Sequence, residues 1–402
     1  MKTVGIIAEY NPFHKGHKYH IEETRWQTGC RYVVVVMSGE FTQRGEPALL
    51  DKWTRTRMAL LEGADIVLEL PALFAVRSAD SFAAGGVGML SALDVVDGIS
   101  FGCETDDLPT LKFVSDTFEE EPAEVSRAIK KGLREGKSLA RARGEALSAY
   151  MQIDPAILNA PNTALAIEYI RANARLEKPM HVTAVKRKGE YHSEALGEFA
   201  SASAIRMAVR EGKWEEALAC MPDSAAQLLR ETPAERLADP SGLDNLLLYA
   251  LRCMSKEQLR DIWDVTEGLE DRLLRLAQTA PTRQDLLEAL KCKRYTMARL
   301  SRVLANVLLG VDNEIAARYA CPPYARLLGF RESARLLLRE MSEKSHIPLV
   351  SDVTQIRDNP CFRIERRATD LRSLCTADPV SRAAGRDFTS RMQVLRDIDF
   401  ED

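Results

Sequence analysis

The chain has 402 residues, of which 46% are hydrophobic, 28% are charged and 6% are aromatic, and its formal net charge is -4. This composition is typical of a globular protein and excludes disordered, collagen-like and coiled-coil rod classes. At roughly 100–200 residues per domain, the length predicts two or three domains. No apolar run approaches the ~20 residues that a membrane-spanning helix needs, and the run that follows Thr3 is too short for a signal peptide. Because the chain is slightly acidic, a nucleic-acid partner would need a local basic surface.

The cysteines are scattered along the chain, and none belongs to a Cys-x-x-Cys pair or to a Cys/His group with zinc spacing. They are Cys30, Cys103, Cys220, Cys253, Cys292, Cys321, Cys361 and Cys375. A chain of this length can build its core without disulfides. We therefore expect reduced thiols in the core, no structural zinc site and a cytoplasmic location.

Apolar runs alternate with helical patterns over the first hundred residues. Runs that lack polar alternation are typical of strands buried on both faces of a parallel sheet. We predict strands over residues 3–8, 32–37, 65–70 and 96–101, and helices over residues 17–27, 51–61 and 78–93, with Asp51 as an N-cap. This order predicts a doubly wound α/β fold with ligand chemistry at the carboxyl ends of its strands.

The pattern becomes helical after residue 109. Residues 123–150 are highly charged, and we interpret them as a helix with a solvated face, with a phosphate-contacting face as the alternative. Their basic residues include Lys130, Lys131, Arg134, Lys137, Arg141 and Arg143. A helix over residues 162–175 and a strand over residues 181–186 follow, and this strand is expected to return to the sheet. From Trp214 onward the chain is predicted to be nearly all helix.

Chemically active residue types are concentrated directly after the first strand, in residues 9–17. Asn11 and Pro12 predict a turn, and Gly16 permits close approach of the backbone to a ligand. His14 and His17 stand three residues apart at the beginning of a helix, so both rings can face one point above the sheet edge. The unpaired N–H groups and partial positive charge of the helix N-terminus favour an anion there, so we predict a phosphate pocket.

The alternative interpretation is a pair of surface histidines in the first turn of a helix. Half of the six histidines, at positions 14, 17 and 20, fall within seven residues. That clustering beside a turn and a glycine favours the phosphate pocket. A Walker loop and a Gly-x-Gly-x-x-Gly turn are absent here, so the pocket is of a different type.

The element His14-x-Gly16-His17 resembles the signature of the nucleotidyltransferase superfamily that includes class I aminoacyl-tRNA synthetases. In that superfamily the motif holds the ATP phosphates while the α-phosphate is attacked. The resemblance implies an N-terminal doubly wound parallel-sheet nucleotidyltransferase domain over residues 1–212, with a helical insertion around residues 109–160. A mainly α-helical C-terminal region over residues 213–402, expected to bind tRNA, would follow it.

Longer segments resemble the bacterial tRNA(Met) cytidine acetate ligase family. They are residues 5–17, 38–47, 63–71, 101–104, 161–169 and 291–296, and the resemblance becomes thinner past Ala305. It implies a ligase that forms acetyl-adenylate and pyrophosphate from acetate and ATP. The acetyl group would then pass to the exocyclic amine of the wobble cytidine of elongator tRNA(Met), releasing AMP. Mg²⁺ is expected with ATP, although no acidic cluster in the sequence indicates a protein cage for it.

The same resemblance implies the site residues. His14 and His17 would be catalytic, stabilising charge on the α-phosphate and the departing pyrophosphate. The ATP-binding residues would be Ile7, Ala8, Glu9, Tyr10, Asn11, Pro12, Phe13, His14, Lys15, Gly16, His17, Lys18, Tyr19, His20, Gly102, Asn162 and Arg187. Without a Cβ, Gly102 would let adenosine lie against a strand end, Asn162 would offer a donor and an acceptor, and Arg187 would add a permanent cation. The alternatives are a turn glycine for Gly102 and an N-cap for Asn162.

A serine-rich helix start supplies phosphate-binding candidates, namely Ser201, Ser203 and Arg206. In the superfamily such a turn commonly grips the β- and γ-phosphates, whereas the sequence alone fits an N-capped helix equally well. Arg44 and Lys52, near the end of the second predicted strand, are candidates for contact with an anion or the substrate. Surface charge is the alternative for both.

A basic segment on this acidic chain supplies the tRNA-binding candidates. They are Lys291, Lys293, Arg294, Tyr295, Arg299 and Arg302. Most of the cations are expected on one side of a helix, where they would contact tRNA phosphates, with Tyr295 available to stack on a base. The alternative is a solvated helix with ion pairs to neighbouring glutamates. Residues that could extend the basic side are Arg326, Arg331, Arg335 and Arg339.

Two other functions are compatible with parts of this pattern. A nucleotidyltransferase that adenylates a small phosphorylated metabolite would fit the α/β half, but it would leave the basic C-terminal segment without a role. A non-catalytic RNA-binding scaffold is the second alternative, and the intact His14, Gly16 and His17 argue against it.

Overall fold

The computed structural model describes residues 1–137, 139–153, 160–188, 197–266, 268–292 and 295–396. Its centre is a mixed, mostly parallel sheet with packed cores on both faces. The first half of the chain runs β1 (Thr3–Ala8), α1 (Lys15–Thr28), β2 (Tyr32–Ser38), α2 (Lys52–Leu61), β3 (Ile66–Leu70), α3 (Ala72–Ala75), α4 (Ala79–Ala92), β4 (Gly98–Cys103), α5 (Leu108–Glu119), α6 (Ala123–Arg134), α7 (Leu139–Met151), α8 (Pro161–Ala174) and β5 (His181–Lys186).

The second half is mainly helical. It runs α9 (Ala202–Arg210), α10 (Trp214–Ala219), α11 (Asp223–Glu231), α12 (Asp244–Cys253), α13 (Lys256–Asp261), α14 (Leu269–Ala277), α15 (Arg283–Leu290), α16 (Met297–Leu309), α17 (Asn313–Arg318), β6 (Ala325–Arg331), α18 (Arg335–Lys344), β7 (Leu349–Val350), α19 (Pro360–Leu374), α20 (Arg386–Thr389) and β8 (Gln393–Leu395). None of the helices in the described part of the chain is long and apolar enough to cross a membrane.

The sheet has the order β5-β4-β1-β2-β3-β6-β7, with β8 paired to β6. The pairs among the first five strands are parallel, which confirms the predicted doubly wound fold. Since β1 lies between β4 and β2, successive connections turn to opposite sides of it. The carboxyl end of β1 is therefore a topological switch point, the position at which open α/β sheets bind ligands.

Strand β2 shows why an uninterrupted apolar run forms this sheet. Val34 and Val36 belong to the core cluster on one face, whereas Val33, Val35 and Met37 belong to the cluster on the other. Because alternate side chains of a strand point to opposite faces, a strand covered on both faces needs apolar residues at every position.

The expectation of nearly all helix after Trp214 was wrong for the last part of the chain. Three strands, β6, β7 and β8, extend the sheet of the N-terminal half, and β6 pairs antiparallel to β3. A short apolar run of this kind does not distinguish a buried strand from a buried helix by its periodicity. The division at residue 212 stays a prediction, but the C-terminal region contributes strands to the N-terminal sheet.

The charged segment 123–150 forms two helices, α6 and α7, rather than one. Gly136 has a positive φ of 81°, the left-handed conformation that ends a helix and favours glycine. The two helices pack closely, since a Cβ on Gly132 would lie 2.9 Å from the Cβ of Ala142. The predicted helical insertion is thus a short helical unit, α5 to α7, between β4 and α8.

Lys52 lies in a buried ion cluster, so its predicted contact with substrate was wrong. Its Nζ is 2.6 Å from Glu69, 2.7 Å from Asp387 and 3.2 Å from Glu365, and the side chain is fully buried. Arg326 completes this Lys52 cluster by pairing with Glu69 at 2.8 Å and Asp387 at 2.5 Å, so it is not part of an RNA surface. The cluster ties α2 and β3 to β6, α19 and α20.

None of the eight cysteines, all of which lie within the described residues, forms a disulfide, and five of them are buried. Cys253 and Cys321 are exposed and Cys292 is partly buried, so the expected core position holds for most of them.

Candidate ATP site at the carboxyl end of β1

The two histidines of the motif cap the helix that follows β1. His14 is the N-cap residue of α1, and its Nδ1 accepts a hydrogen bond from the backbone N–H of Gly16 at 3.1 Å. In return, the backbone N–H of His14 donates to Nδ1 of His17 at 3.2 Å. This reciprocal pair is a capping box, in which imidazoles take the places usually held by serine and glutamate.

The capping bonds determine which ring nitrogen carries the proton. Because Nδ1 of His14 and of His17 both accept from backbone amides, the proton of each neutral ring resides on Nε2. The rings stack with their centroids 3.7 Å apart and an interplanar angle of 26°. The motif therefore presents two adjacent Nε2–H donors at the N-terminus of a helix, where an anion is favoured.

Gly16 makes this geometry possible. A Cβ at this position would lie 2.9 Å from Cε1 and 3.0 Å from Nδ1 of the His14 ring. Any larger residue would push the ring away from its capping position. The glycine therefore gives space to the imidazole, a role that the sequence analysis did not anticipate.

The histidines of the site are neutral at pH 7. Burial, with the charges of Arg187 and Arg206 adding to it, lowers the pKa of His14 to about 3. Burial and Arg187 lower the pKa of His20 to about 4, and burial, with His14 and Arg187, lowers the pKa of His17 well below its usual value. Positive potential here comes from the arginines and the helix end rather than from imidazolium. We call His14, His17, His20, Arg187 and Arg206 the histidine corner.

Arg206 reaches the corner from α9. Its Nη1 donates to the backbone oxygen of Asn11 at 2.6 Å, and its Nη2 donates to Oγ of Ser203 at 3.2 Å. Ser201 is the N-cap of α9 and accepts from the N–H of Ala204 at 3.2 Å. The structure thus brings the second predicted phosphate element beside the turn of the first.

The β4–β5 edge brings in the remaining predicted contacts. Arg187 follows β5, and its backbone N–H donates to the oxygen of Cys103 at 2.9 Å. A Cβ on Gly102 would lie 3.5 Å from Cγ of Arg187, an ordinary contact, so packing within the protein does not require this glycine. That leaves its predicted role, a surface for adenosine, as a proposal.

Glu104 is a residue that the sequence analysis missed. Its carboxylate accepts from Nδ2 of Asn162 at 2.7 Å and from the N–H and Oγ1 of Thr163 at 2.7 and 2.8 Å. The N-cap position of α8 belongs to Ala160, so the N-cap alternative for Asn162 was wrong. Glu104 instead satisfies the first turn of α8 and fixes the Asn162 amide. The sequence signal that could have pointed to Glu104 was its position in segment 101–104, one of the segments that carry the family resemblance.

Hydrogen bonds from the side chain of Arg55 hold the turn that follows β1. Its guanidinium donates at 2.7 Å to the backbone oxygen of Glu9, directly after β1, and at 3.0 Å to that of Ser38, the last residue of β2. The Glu9 carboxylate accepts from the N–H of Gln43 at 2.7 Å. Sequence reasoning missed Arg55 because a buried arginine that donates to carbonyl groups leaves no spacing pattern.

Other predicted ATP-binding residues fall into two groups. The buried ones, Tyr10 and Phe13, pack against the His17 ring, with centroids 4.8 and 5.4 Å away. The more exposed ones have other partners: Lys18 pairs with Glu62 at 3.0 Å, and Tyr19 lies under the Lys188 ammonium. Their contact with ATP stays a prediction, as it does for Ile7, Ala8, Pro12 and Lys15.

The predicted basic side of a helix at residues 291–302 was wrong. Helix α16 begins only at Met297, after the N-cap Thr296, so Lys291 does not lie on it. The Tyr295 ring is only 6% exposed and packs in the third core, which excludes stacking on a base. Lys293 and Arg294 lie outside the described residues.

The other cations of this group differ in exposure. Arg299 pairs with Asp264 at 3.0 Å, and Arg302 is partly buried. Arg331 donates to the backbone oxygen of Leu60 at 2.8 Å, which gives it a structural role. Arg44 is exposed, and its backbone oxygen accepts a hydrogen bond from Oγ of Ser301 at 2.5 Å.

Two cations of the proposed extension remain on the surface. Arg335 pairs with Glu332 and Arg339 with Glu343, and the two arginine side chains are 65% and 80% exposed. In the described part of the chain, no group of three or more His, Cys, Asp or Glu side chains could hold a metal ion.

A doubly wound sheet, a capping box of two histidines at its switch point and arginines from two further elements define a nucleotidyltransferase of the HIGH class. The family model HIGH Nucleotidyl Transferase matches residues 1–387. A tRNA(Met) cytidine acetate ligase of Thermoanaerobacter sp. is 38% identical over 399 residues, covering 96% of this chain and 98% of the relative. That of Acetivibrio thermocellus is 38% identical over 415 residues, covering 98% and 100%. The chain is an enzyme that belongs to the tRNA(Met) cytidine acetate ligase family.

Solved structures agree with this assignment. A crystal structure of Thermotoga maritima TmcAL bound with alpha-thio ATP has a TM-score of 0.90 and 32% sequence identity, covering 98% of this chain and 100% of that one. The apo form of the same protein has a TM-score of 0.91 with the same identity and coverage.

Proposed function

We propose that the protein joins acetate to the exocyclic amine of the wobble cytidine of elongator tRNA(Met), using ATP. Two steps are required. An acetate oxygen attacks the α-phosphorus of ATP, forming acetyl-adenylate as the bond to pyrophosphate breaks. The cytidine amine then attacks the acetyl carbon, loses a proton and releases AMP. The names of the relatives and the ATP analogue in the T. maritima structure support this proposal.

The observation that carries the proposal is the pair of Nε2–H donors that His14 and His17 present at the start of α1. Acetate and ATP are both anions, so their encounter needs alignment and neutralisation of charge. Neutral imidazoles donate hydrogen bonds through their ring N–H groups and do not release those protons at pH 7. They would stabilise charge that grows on the α-phosphate and on pyrophosphate, an effect that depends on donors fixed before reaction.

Arg187 and Arg206 would supply the net positive charge that the neutral rings lack. Arg206 is held by the backbone oxygen of Asn11 and by Ser203, and it therefore faces the same turn as the histidines. We propose contact of Arg206 with the β- and γ-phosphates, and of Asn162 and Gly102 with the nucleoside. Glu104 would act as a positioning residue for Asn162.

Mg²⁺ would arrive with ATP and would reduce the repulsion between its phosphates. The described residues provide no cluster of carboxylates to cage it, so we assign it to the phosphate oxygens of ATP and route no step through a protein-bound metal. The tRNA contacts proposed at the exposed Lys291 and Arg339 fit a polyanionic partner. The eight cysteines form no disulfide within the described residues, which supports the proposed cytoplasmic location.

Incubation with acetate, ATP and total tRNA, followed by mass spectrometry of nucleosides, tests the proposal. We expect acetylcytidine that depends on both acetate and ATP and that maps to elongator tRNA(Met). A dinucleotide formed from an added phosphorylated metabolite would instead support the adenylating alternative. Neither product, from protein that binds ATP, would indicate a non-catalytic role.

A further inference from the structure

The helical insertion is anchored at the candidate site by both of its ends. It leaves the sheet after β4 and returns at α8, and the Glu104 carboxylate joins the two points through Asn162 and Thr163 at 2.7 Å. The three helices between these points, α5 to α7, share one core cluster with the sheet and are joined to it at the β4–β5 edge. A surface on this insertion is therefore connected to the site through a short segment.

Helix α6 of the insertion has two chemically distinct faces. Val125, Ile129 and Gly132 are buried against the rest of the insertion. The exposed face carries four cations at the spacing i, i+3, i+4 and i+7, which places them on one side of a helix. They are Arg127, Lys130, Lys131 and Arg134, all exposed, and we call them the α6 stripe.

The cations of the α6 stripe are not neutralised by the protein. In the part of the chain that the structure describes, none of the four forms an ion pair, and Arg127 only donates from Nε to the oxygen of Ala123. The nearby carboxylates of Glu135 and Glu145 pair with Lys137, at 3.0 and 2.7 Å. Glu124, in the first turn of α6, forms no ion pair with the stripe in the described part of the chain. Four unpaired cations side by side repel one another, so this arrangement costs stability unless an anion joins it.

Stabilisation of the helix explains only part of the α6 stripe. Lys131 and Arg134 lie in the last turn of α6, where cations interact favourably with the helix dipole. Arg127 and Lys130 lie further from that end and gain less from it. The stripe from Arg127 to Arg134 spans eight residues, or about 10 Å of helix, enough for two or three phosphates of a nucleic-acid strand.

We propose that the α6 stripe binds the phosphate backbone of the RNA substrate. The inference rests on the proposed function and adds a contact surface on the insertion to the contacts proposed at Lys291 and Arg339. Because phosphate contacts are not specific for bases, the stripe would contribute affinity and orientation, and base recognition would belong to other residues.

The test uses the full-length triple variant Lys130→Gln, Lys131→Gln and Arg134→Gln. Glutamine retains helix propensity, so α6 should still form. At about 0.1 M salt the dissociation constant for tRNA should rise at least about tenfold, and the slope of log K against log salt should fall by about 2–3. Acetylation of tRNA should fall much more than acetate-dependent ATP–pyrophosphate exchange, which involves no RNA.

A matched control removes the same charge from surface cations that already have partners. It combines Arg230→Gln, Lys256→Gln and Lys344→Gln, whose side chains pair with Glu215, Asp271 and Glu340. The control should leave the dissociation constant for tRNA within about twofold of the wild-type value. A second variant with Lys130→Arg, Lys131→Arg and Arg134→Lys keeps the charge and should restore tRNA binding.

Three results would overturn the proposal, and they are distinguishable. An unchanged dissociation constant and salt slope in the glutamine variant, with normal wild-type acetylation, would remove the α6 stripe alone. Failure of the wild-type protein to bind or acetylate tRNA would remove the proposed function and the stripe with it. Loss of binding to phosphatidylserine–phosphatidylcholine vesicles, with tRNA binding unchanged, would assign the stripe to a membrane surface instead.

Discussion

The histidine corner and the Lys52 cluster both bring charged or titratable groups together at the sheet, yet they are built in opposite ways. In the Lys52 cluster, Lys52 and Arg326 pair with the carboxylates of Glu69 and Asp387 in a buried space. Burial and Glu69 raise the pKa of the third carboxyl group, that of Glu365, well above its usual value, so the charges balance. In the histidine corner, Arg187 and Arg206 form no ion pair in the described part of the chain, and two ring N–H groups have no assigned acceptor.

The difference separates a structural charge from a functional one. A balanced cluster lowers its own energy and holds distant segments together, so removing one member leaves buried charges unpaired. An unbalanced group of donors is stabilised when an anion enters. The corner therefore fits a phosphate ligand, whereas the cluster fits a role in attaching the C-terminal segment to the sheet.

The largest effect should come from breaking the Lys52 cluster. Lys52→Met should lower the free energy of unfolding by about 3–5 kcal/mol, because Glu69 and Asp387 would keep only Arg326 as a cationic partner in a buried space. Urea unfolding at pH 7 measures this. The control is Glu365→Gln: burial and the neighbouring Glu69 raise the pKa of Glu365 well above its usual value, so a neutral amide should cost about 1 kcal/mol or less. A larger loss in Glu365→Gln than in Lys52→Met would contradict the assignment of charge in the cluster.

Removing the His14 or the His17 ring should affect catalysis more than folding, although it also removes a cap of α1. His14→Ala and His17→Ala should each lower acetate-dependent ATP–pyrophosphate exchange by about 10²–10³-fold, the cost of losing one fixed donor to a developing oxyanion. His346→Ala, at an exposed histidine elsewhere, should leave exchange unchanged. Wild-type exchange in both corner variants would refute their proposed role.

A smaller effect is expected at Arg206. Arg206→Ala should lower kcat/KM for ATP by about 10–100-fold, since a hydrogen bond to a charged group contributes about 1.5–3 kcal/mol. Arg206→Lys should recover part of the loss because it keeps the charge but not the planar fork. Arg210→Ala, one turn further along α9 and exposed, is the matched control. Equal losses at positions 206 and 210 would mean that only the general charge of α9 matters.

The smallest effect concerns acid stability. Folding lowers the pKa of His20 to about 4, so between pH 6.5 and 4 the unfolded chain binds a proton that the folded chain does not. The free energy of unfolding therefore falls as the pH falls through this window. Above pH 6.5 the ionisation of His20 no longer changes it. His20→Gln should reduce this dependence by up to about 1.4 kcal/mol per pH unit. Urea titrations at pH 7 and pH 5 test this, with His346→Gln as the control, and an identical pH dependence in His20→Gln would contradict it.

The parts of the site that were predictable from sequence are local. His14, Gly16 and His17 are close in the chain, so their spacing alone predicts that they meet at a helix start, and β2 is evident from its unbroken apolar run. Arg55 and Glu104 could not be found in this way, because their partners depend on how β1, β2 and α8 are placed in space.

Segment 291–302 shows where spacing misleads. The helical side predicted there assumed that the helix begins before Lys291, but Thr296 caps α16 and Tyr295 is buried in the third core. By contrast, the cations of α6 lie within a single helix, and there the same spacing rule describes the exposed face. Spacing rules are therefore informative only where the helix boundaries are known.

The most direct test of the central claim is a crystal structure of the protein with a non-hydrolysable ATP analogue. We expect phosphate oxygens within about 3 Å of Nε2 of both His14 and His17, with both Nδ1 atoms still bonded to their backbone amides. A triphosphate bound elsewhere, with neither imidazole in contact with it, would contradict the assignment of this corner as the ATP site.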